Sequence, residues 1–153
     1  MKLNYIIIPL VTFLTAAAGS LLTSGGMAWY KNINKPPWTP PGSVIGAVWT
    51  IIFILGTISA LIAWNRLPLD NRFKWIVIIF ILNAILNVLW SWLFFNQQQL
   101  GLAVFEAGLL GISVVVLIVL IWPLSAWSAS LLIPYAAWVS FATFLTYKVW
   151  SLN

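Results

Sequence analysis

Asn83, Asn87 and Ser91 fall four residues apart in an otherwise apolar stretch, with Trp90 and Phe94 beside them. That spacing lines the three polar groups along one face of a helix. Two kinds of chemistry are open to such a face. It can hydrogen-bond to another helix, or it can form the wall of a cavity in which amides supply donors and acceptors and aromatics supply stacking surface. Trp49, Trp90 and Trp138 lie several residues inside three different apolar stretches, where an indole N–H wants a partner. Core packing explains any one of them; three on separate helices point to a shared aromatic pocket. Tyr135, Trp138 and Ala142 share one stripe, and the small Ala142 leaves room beside the indole. Glu106 is the only carboxylate inside an apolar stretch. It is placed to act as a counter-ion or proton carrier, or to reach the interface and accept hydrogen bonds from Gln97 to Gln99.

The elements that must position these groups are membrane helices. The chain has 153 residues, of which 63% are hydrophobic and 6% charged, with a mean hydropathy of +1.04. A water-soluble globule would have about a quarter of its residues charged. Five stretches reach the roughly 20 residues that cross a bilayer: Tyr5 to Ser24, Ser43 to Trp64, Phe73 to Phe95, Leu100 to Trp122 and Trp127 to Trp150. Their apolar residues run all round rather than alternating, so the expected fold is an all-α membrane protein, a single five-helix bundle over residues 1–153, and not a β-barrel. Lys2, the apolar run Ile6 to Leu14 and Ala16-Ala17-Ala18 imitate a signal peptide, but apolar character continues through Leu22, and the segment is expected to stay as the first helix.

Small residues recur four apart at Ala16 and Ser20, at Gly56 and Ala60, and at Ala103, Ala107 and Gly111, a spacing that allows close helix approach. With no cysteine and no histidine, thiolate and imidazole ligands are missing and no metal site is expected. The seven basic residues stand singly near helix ends, as membrane anchors do, and form no stripe for nucleic acid. Lys2, Arg66, Arg72 and Lys74 fall at one end of the bundle and Lys31, Lys35 and Lys148 at the other, too even a split to set the orientation. No residue set resembles an acid–base or nucleophilic catalytic centre.

Between the first two helices runs Trp29-Tyr30-Lys31-Asn32-Ile33-Asn34-Lys35-Pro36-Pro37-Trp38-Thr39-Pro40-Pro41. Two Pro-Pro pairs around one tryptophan fix its direction at low entropic cost, so this segment is expected to be a stiff lid. Lys31 and Lys35 stand beside it, where an ammonium can stay hydrated at one end.

Trp29-Tyr30, Lys35 to Gly42, Trp49, Asn83 with Asn87, and Pro134-Tyr135 through Trp138 to Thr143 together resemble the tryptophan-rich sensory protein/translocator protein family, formerly the peripheral benzodiazepine receptors. The resemblance covers nearly the whole chain. It implies a membrane sensor or binding protein, often a homodimer, that takes protoporphyrin IX or a related tetrapyrrole, and benzodiazepine-type ligands, in a cavity beneath the first loop, with nothing bound covalently. The residues it implies for that cavity are Tyr30, Trp38 and Pro40 from the lid, Trp49 and Phe53, Asn83, Asn87, Trp90 and Phe94, Ala107, and Trp138 and Ala142. Light-dependent porphyrin breakdown, where family members show it, is tied to the tryptophans matched by Trp49 and Trp138. A transporter of porphyrins or other small amphiphiles and a non-catalytic interaction subunit are the alternatives. The cholesterol-recognition pattern of animal members is broken here, because Tyr147 abuts Lys148 without a spacer. A bacterial inner membrane is the expected location.

Overall fold

The computed structural model describes residues 2–66, 68 and 70–153. Five helical stretches among them are long and apolar enough to cross a membrane, and no strand occurs among the described residues. The protein is an integral membrane protein of the all-α class. Helix α1 spans Asn4–Asn32, α2 Gly42–Arg66, α3 Asn71–Ser91, α4 Leu100–Ile121, α5 Ala126–Ser130 and α6 Ile133–Ser151. Successive long helices run in opposite directions, so the bundle has a loop end, where residues 33–41 join α1 to α2, and a basic end, where Arg66, Arg72 and Lys74 lie.

Three boundaries differ from those read in the sequence, each for a local reason. Helix α1 runs on to Asn32, so Trp29 and Tyr30 are helical residues, not part of the loop. Its exposed last-turn carbonyls are met by Lys35, whose ammonium donates to the carbonyl oxygens of Tyr30, Ile33 and Lys31 at 2.6, 3.0 and 3.3 Å. The last long stretch is broken. Ser125 caps the short α5 by accepting from the Ser128 N–H, and Pro134 then begins α6 in its first turn. Third, α3 continues as a π-helical turn, Trp92–Asn96, closed by a bond from the Gln97 N–H to the Trp92 carbonyl. The wider turn lets two consecutive rings, Phe94 and Phe95, both face inward, at 3% and 7% exposure.

Helix α4 is the hub. Ala103, Val114, Leu117 and Ile121 are fully enclosed, packed between α3 and α6. The small-residue spacing serves close packing on this helix: a Cβ placed on Gly111 would sit 3.5 Å from Val139 of α6. Ser59 and Ser128, both wholly buried, exchange hydroxyl-to-carbonyl bonds of 2.8 and 2.9 Å and lock α2 to α5. Helix α1 is the least embedded, with Asn4, Thr15 and Gly26 its only buried residues. Gly26 is where it docks. A side chain there would overlap the Phe95 backbone and Cβ, so only glycine lets α1 approach the π turn.

Candidate ligand-binding site

Helix α1 packs against α2, α3 and the π turn but adds nothing to the core around α4, and space remains between it and that core in the loop-end half of the bundle. It forms a chamber of about 500 Å3, walled by α1, α2, α3 with its π turn, α4 and α6. That volume lies within the roughly 300–1,000 Å3 typical of small-molecule sites. Ala16, Gly19, Ser20 and Thr23 line it along α1, and Gly19 also brings α1 close to α3, since a Cβ there would sit 3.4 Å from Ser91 Oγ.

The structure brings together nine of the residues expected in the site: Tyr30, Trp49, Phe53, Asn87, Trp90, Phe94, Ala107, Trp138 and Ala142 all line the chamber. Trp90 stacks on Phe94 at 5.1 Å, Trp138 leans on Phe141 at 5.3 Å, and Trp49 meets the Tyr135 ring edge-on at 6.1 Å. These contacts fix the planes of the indoles. The indole nitrogens of Trp90 and Trp138 are fully enclosed and have no hydrogen-bond partner among the described residues, so these residues line the chamber with other atoms of their rings.

Asn83 is placed elsewhere. It lies below the chamber, at the middle of the bundle, where its Nδ2 donates to Ser113 Oγ at 2.9 Å and its Oδ1 accepts from the Tyr135 hydroxyl at 2.9 Å. Asn87 Nδ2 donates to that hydroxyl and, at 2.9 Å, to the Asn83 carbonyl. The polar face of α3 is therefore both things its spacing allowed: an interhelical network at Asn83, and a cavity wall at Asn87 and Ser91. Tyr135 belongs to this network rather than to the aromatic wall, although it shares a stripe with Trp138 and Ala142. The signal was present in the sequence, since a buried tyrosine hydroxyl one turn below the wall needs polar partners on a facing helix.

Trp38 and Pro40 do not line the chamber. Trp38 lies flat on Phe144, at 5.7 Å and 10°, and tilts against Phe141, which itself lines the chamber. The loop is clasped to the end of α6, where Asn34 N–H donates to Asn153 Oδ1 at 3.0 Å and Asn153 Nδ2 donates back to the Asn34 carbonyl at 2.9 Å. Nothing in the sequence flagged this clasp, since two polar residues 119 positions apart carry no spacing signal. Lys35 is occupied in capping α1 and lies over the Tyr30 ring at 4.8 Å, which leaves Lys31 as the exposed cation beside the chamber. Glu106 neither reaches the interface nor accepts from Gln97 to Gln99. It is 3% exposed, it is not in the chamber wall, and both its oxygens lack a partner. Asp70 accepts from the Phe73 N–H as the cap of α3, and no ion pair joins it to the nearby cations among the described residues.

A chamber lined by aromatic rings, with the Asn87 side chain in its wall, can hold a flat hydrophobic molecule. Residues 6–151 match the family model described as the TspO/MBR family. The chain is 37% identical to the tryptophan-rich protein TspO of Bacillus cereus over 100% of this chain and 99% of that one. It is 32% identical to protein CrtK of Rhodobacter capsulatus over 90% of this chain and 84% of that protein. With the human translocator protein it shares 32% identity, over 88% of this chain and 81% of the human protein. A match of this extent, on a five-helix bundle whose indoles converge on one chamber, places the chain in the TspO/MBR family.

Proposed function

We propose that the chamber binds a tetrapyrrole of the protoporphyrin IX type and that the protein works as a membrane sensor of it. The supporting observation is the convergence of Trp49, Trp90 and Trp138 from three helices on one space of about 500 Å3. A flat macrocycle buries its faces against such rings, and the Asn87 side chain is in the same wall. Its acidic side chains would extend toward the loop end, where Lys31 is exposed. Benzodiazepine-type ligands, also flat and apolar with carbonyl acceptors, fit the same description.

The test is titration of protoporphyrin IX into the detergent-solubilised protein, followed by tryptophan fluorescence. Saturable quenching is expected for the natural chain. Ala142→Phe, which fills space beside Trp138, should weaken it by about tenfold or more, the cost of overpacking being about 1–3 kcal/mol. Quenching that never saturates, or that Ala142→Phe leaves unchanged, would show the porphyrin to be partitioning into the micelle.

Light-dependent breakdown of the bound porphyrin belongs to the same reading. Excited macrocycle and molecular oxygen would carry out the oxidation, and the protein would hold the ring against Trp49 and Trp138. Loss of the Soret band under illumination should slow in Trp49→Phe and Trp138→Phe if the indoles take part. A bacterial inner membrane is the proposed location, in keeping with the Bacillus and Rhodobacter relatives.

A further inference from the structure

The basic-end half of the bundle holds a second space that the chamber does not use. It is a groove of about 290 Å3 between α1, α2 and α3, with Leu132 and Tyr135 at its back. Along α2 its lining runs from Ile52 to Trp64, about 18 Å at about 1.5 Å per residue. That is close to one leaflet of a hydrocarbon core about 30 Å thick. The groove thus extends from the basic interface to the middle of the membrane, where the Asn83–Asn87–Tyr135 network closes it.

Its wall makes no polar demand. Isoleucines, valines, alanines and phenylalanines dominate it, and its hydroxyl groups are already bonded: Thr57 to Thr12 at 2.9 Å, Thr12 to the Ile8 carbonyl at 3.1 Å and Thr15 to the Val11 carbonyl at 2.9 Å. A hydrocarbon chain loses nothing there, whereas a polar ligand would leave its groups unmet. Gly56 faces open space, with no atom within 4 Å of where its Cβ would be, so its smallness serves the groove and not a helix contact. At the interfacial end Trp64 and Phe73 meet edge to face at 5.1 Å. Beside them Arg66, Arg72 and Lys74 are exposed and form no ion pair among the described residues, while the nearby Asp70 carboxylate is engaged in capping α3.

From the depth, the dry wall and the unpaired cations, we infer that the groove holds one acyl chain of an anionic phospholipid, whose headgroup phosphate rests on Arg66, Arg72 and Lys74. The lipid would lie beside α1 near the Thr12–Thr57 contact, and it would meet the underside of the network that also borders the chamber.

Electron spin resonance of the full chain in nanodiscs tests this, using phosphatidylglycerol and phosphatidylcholine spin-labelled on the acyl chain. The natural protein should hold the phosphatidylglycerol chain in a strongly immobilised component and the phosphatidylcholine chain much less. Gly56→Leu, which fills the groove, should remove that component. Replacing Arg66, Arg72 and Lys74 with glutamine should keep a restricted chain but lower the preference for phosphatidylglycerol by about fivefold per cation removed. Equal retention of the two lipids by the natural protein overturns the inference, and so does an unchanged spectrum for a folded Gly56→Leu. If that variant loses its fold, the surface glutamine variants decide, and a preference they leave unaltered overturns the inference.

Discussion

The two halves of the bundle enclose space in opposite ways. The loop-end chamber is lined by three indoles from three helices, whereas the basic-end groove has one tryptophan, at its interfacial end, and its threonine hydroxyls are paired. Helices α1, α2, α3 and α6 contribute to both spaces and α4 to the chamber alone. What separates a recognition site from a hydrocarbon slot here is the set of flat indole faces, which a planar ligand can use and a flexible chain does not need. Thr15, Phe53 and Asn87 border both spaces, and the network around Asn83 forms the partition.

Removing that partition should have the largest effect. Asn83→Leu leaves the buried Tyr135 O–H without its acceptor and removes the bond to Ser113, and is expected to lower stability by about 3 kcal/mol, read as an earlier thermal unfolding transition in detergent. If the transition does not move, the partition is not structural and the two spaces are one. Glu106→Leu acts in the other direction. A buried carboxyl with no partner is a standing cost, so this variant is expected to unfold later, by about 2 kcal/mol; unchanged or lower stability would mean that the carboxyl has a partner when a ligand is present.

Trp138→Phe keeps a ring in the chamber but shrinks the face that a planar ligand can stack on. It should weaken porphyrin binding by about tenfold and leave lipid retention in the groove alone. Loss at both places would tie the two sites together. The smallest effect is expected at the loop: Lys35→Gln removes the cap on α1 and should cost below about 1 kcal/mol in unfolding, because these carbonyls lie near water.

Much of this architecture could be read from residue order, and the exceptions share a cause. Helix number followed from five long apolar runs, and the convergence of Trp49, Trp90 and Trp138 followed from their depth in three of them. Spacing also placed Asn83 and Asn87 on one inward face. What it could not give was the division of labour between them, which depends on Ser113 and Tyr135 arriving from two other helices. The stripes of small residues were ambiguous for the same reason. On α4 they serve contact with α6, while on α1 they line the chamber and at Gly56 of α2 the groove, and the sequence pattern is alike in all three. The proline-rich loop was expected to roof the cavity with Trp38. Instead Trp38 lies on Phe141 and Phe144, because two rings one turn apart on α6 offer it a stacking surface. The π turn had no local signature at all. It is imposed by the fit of Gly26 against Phe95.

Helix α1, which meets the π turn at Gly26 and contributes nothing to the core around α4, has the character of a door jamb. The other helices are fastened to one another by the α4 core and the serine clasp, so the width of the chamber can be retuned by substitutions on one side of one helix, with the frame left as it is. Divergence among relatives in what they accommodate would then concentrate at Ala16, Gly19, Ser20 and Thr23, and exchanging those four positions between two relatives should exchange their ligand preferences.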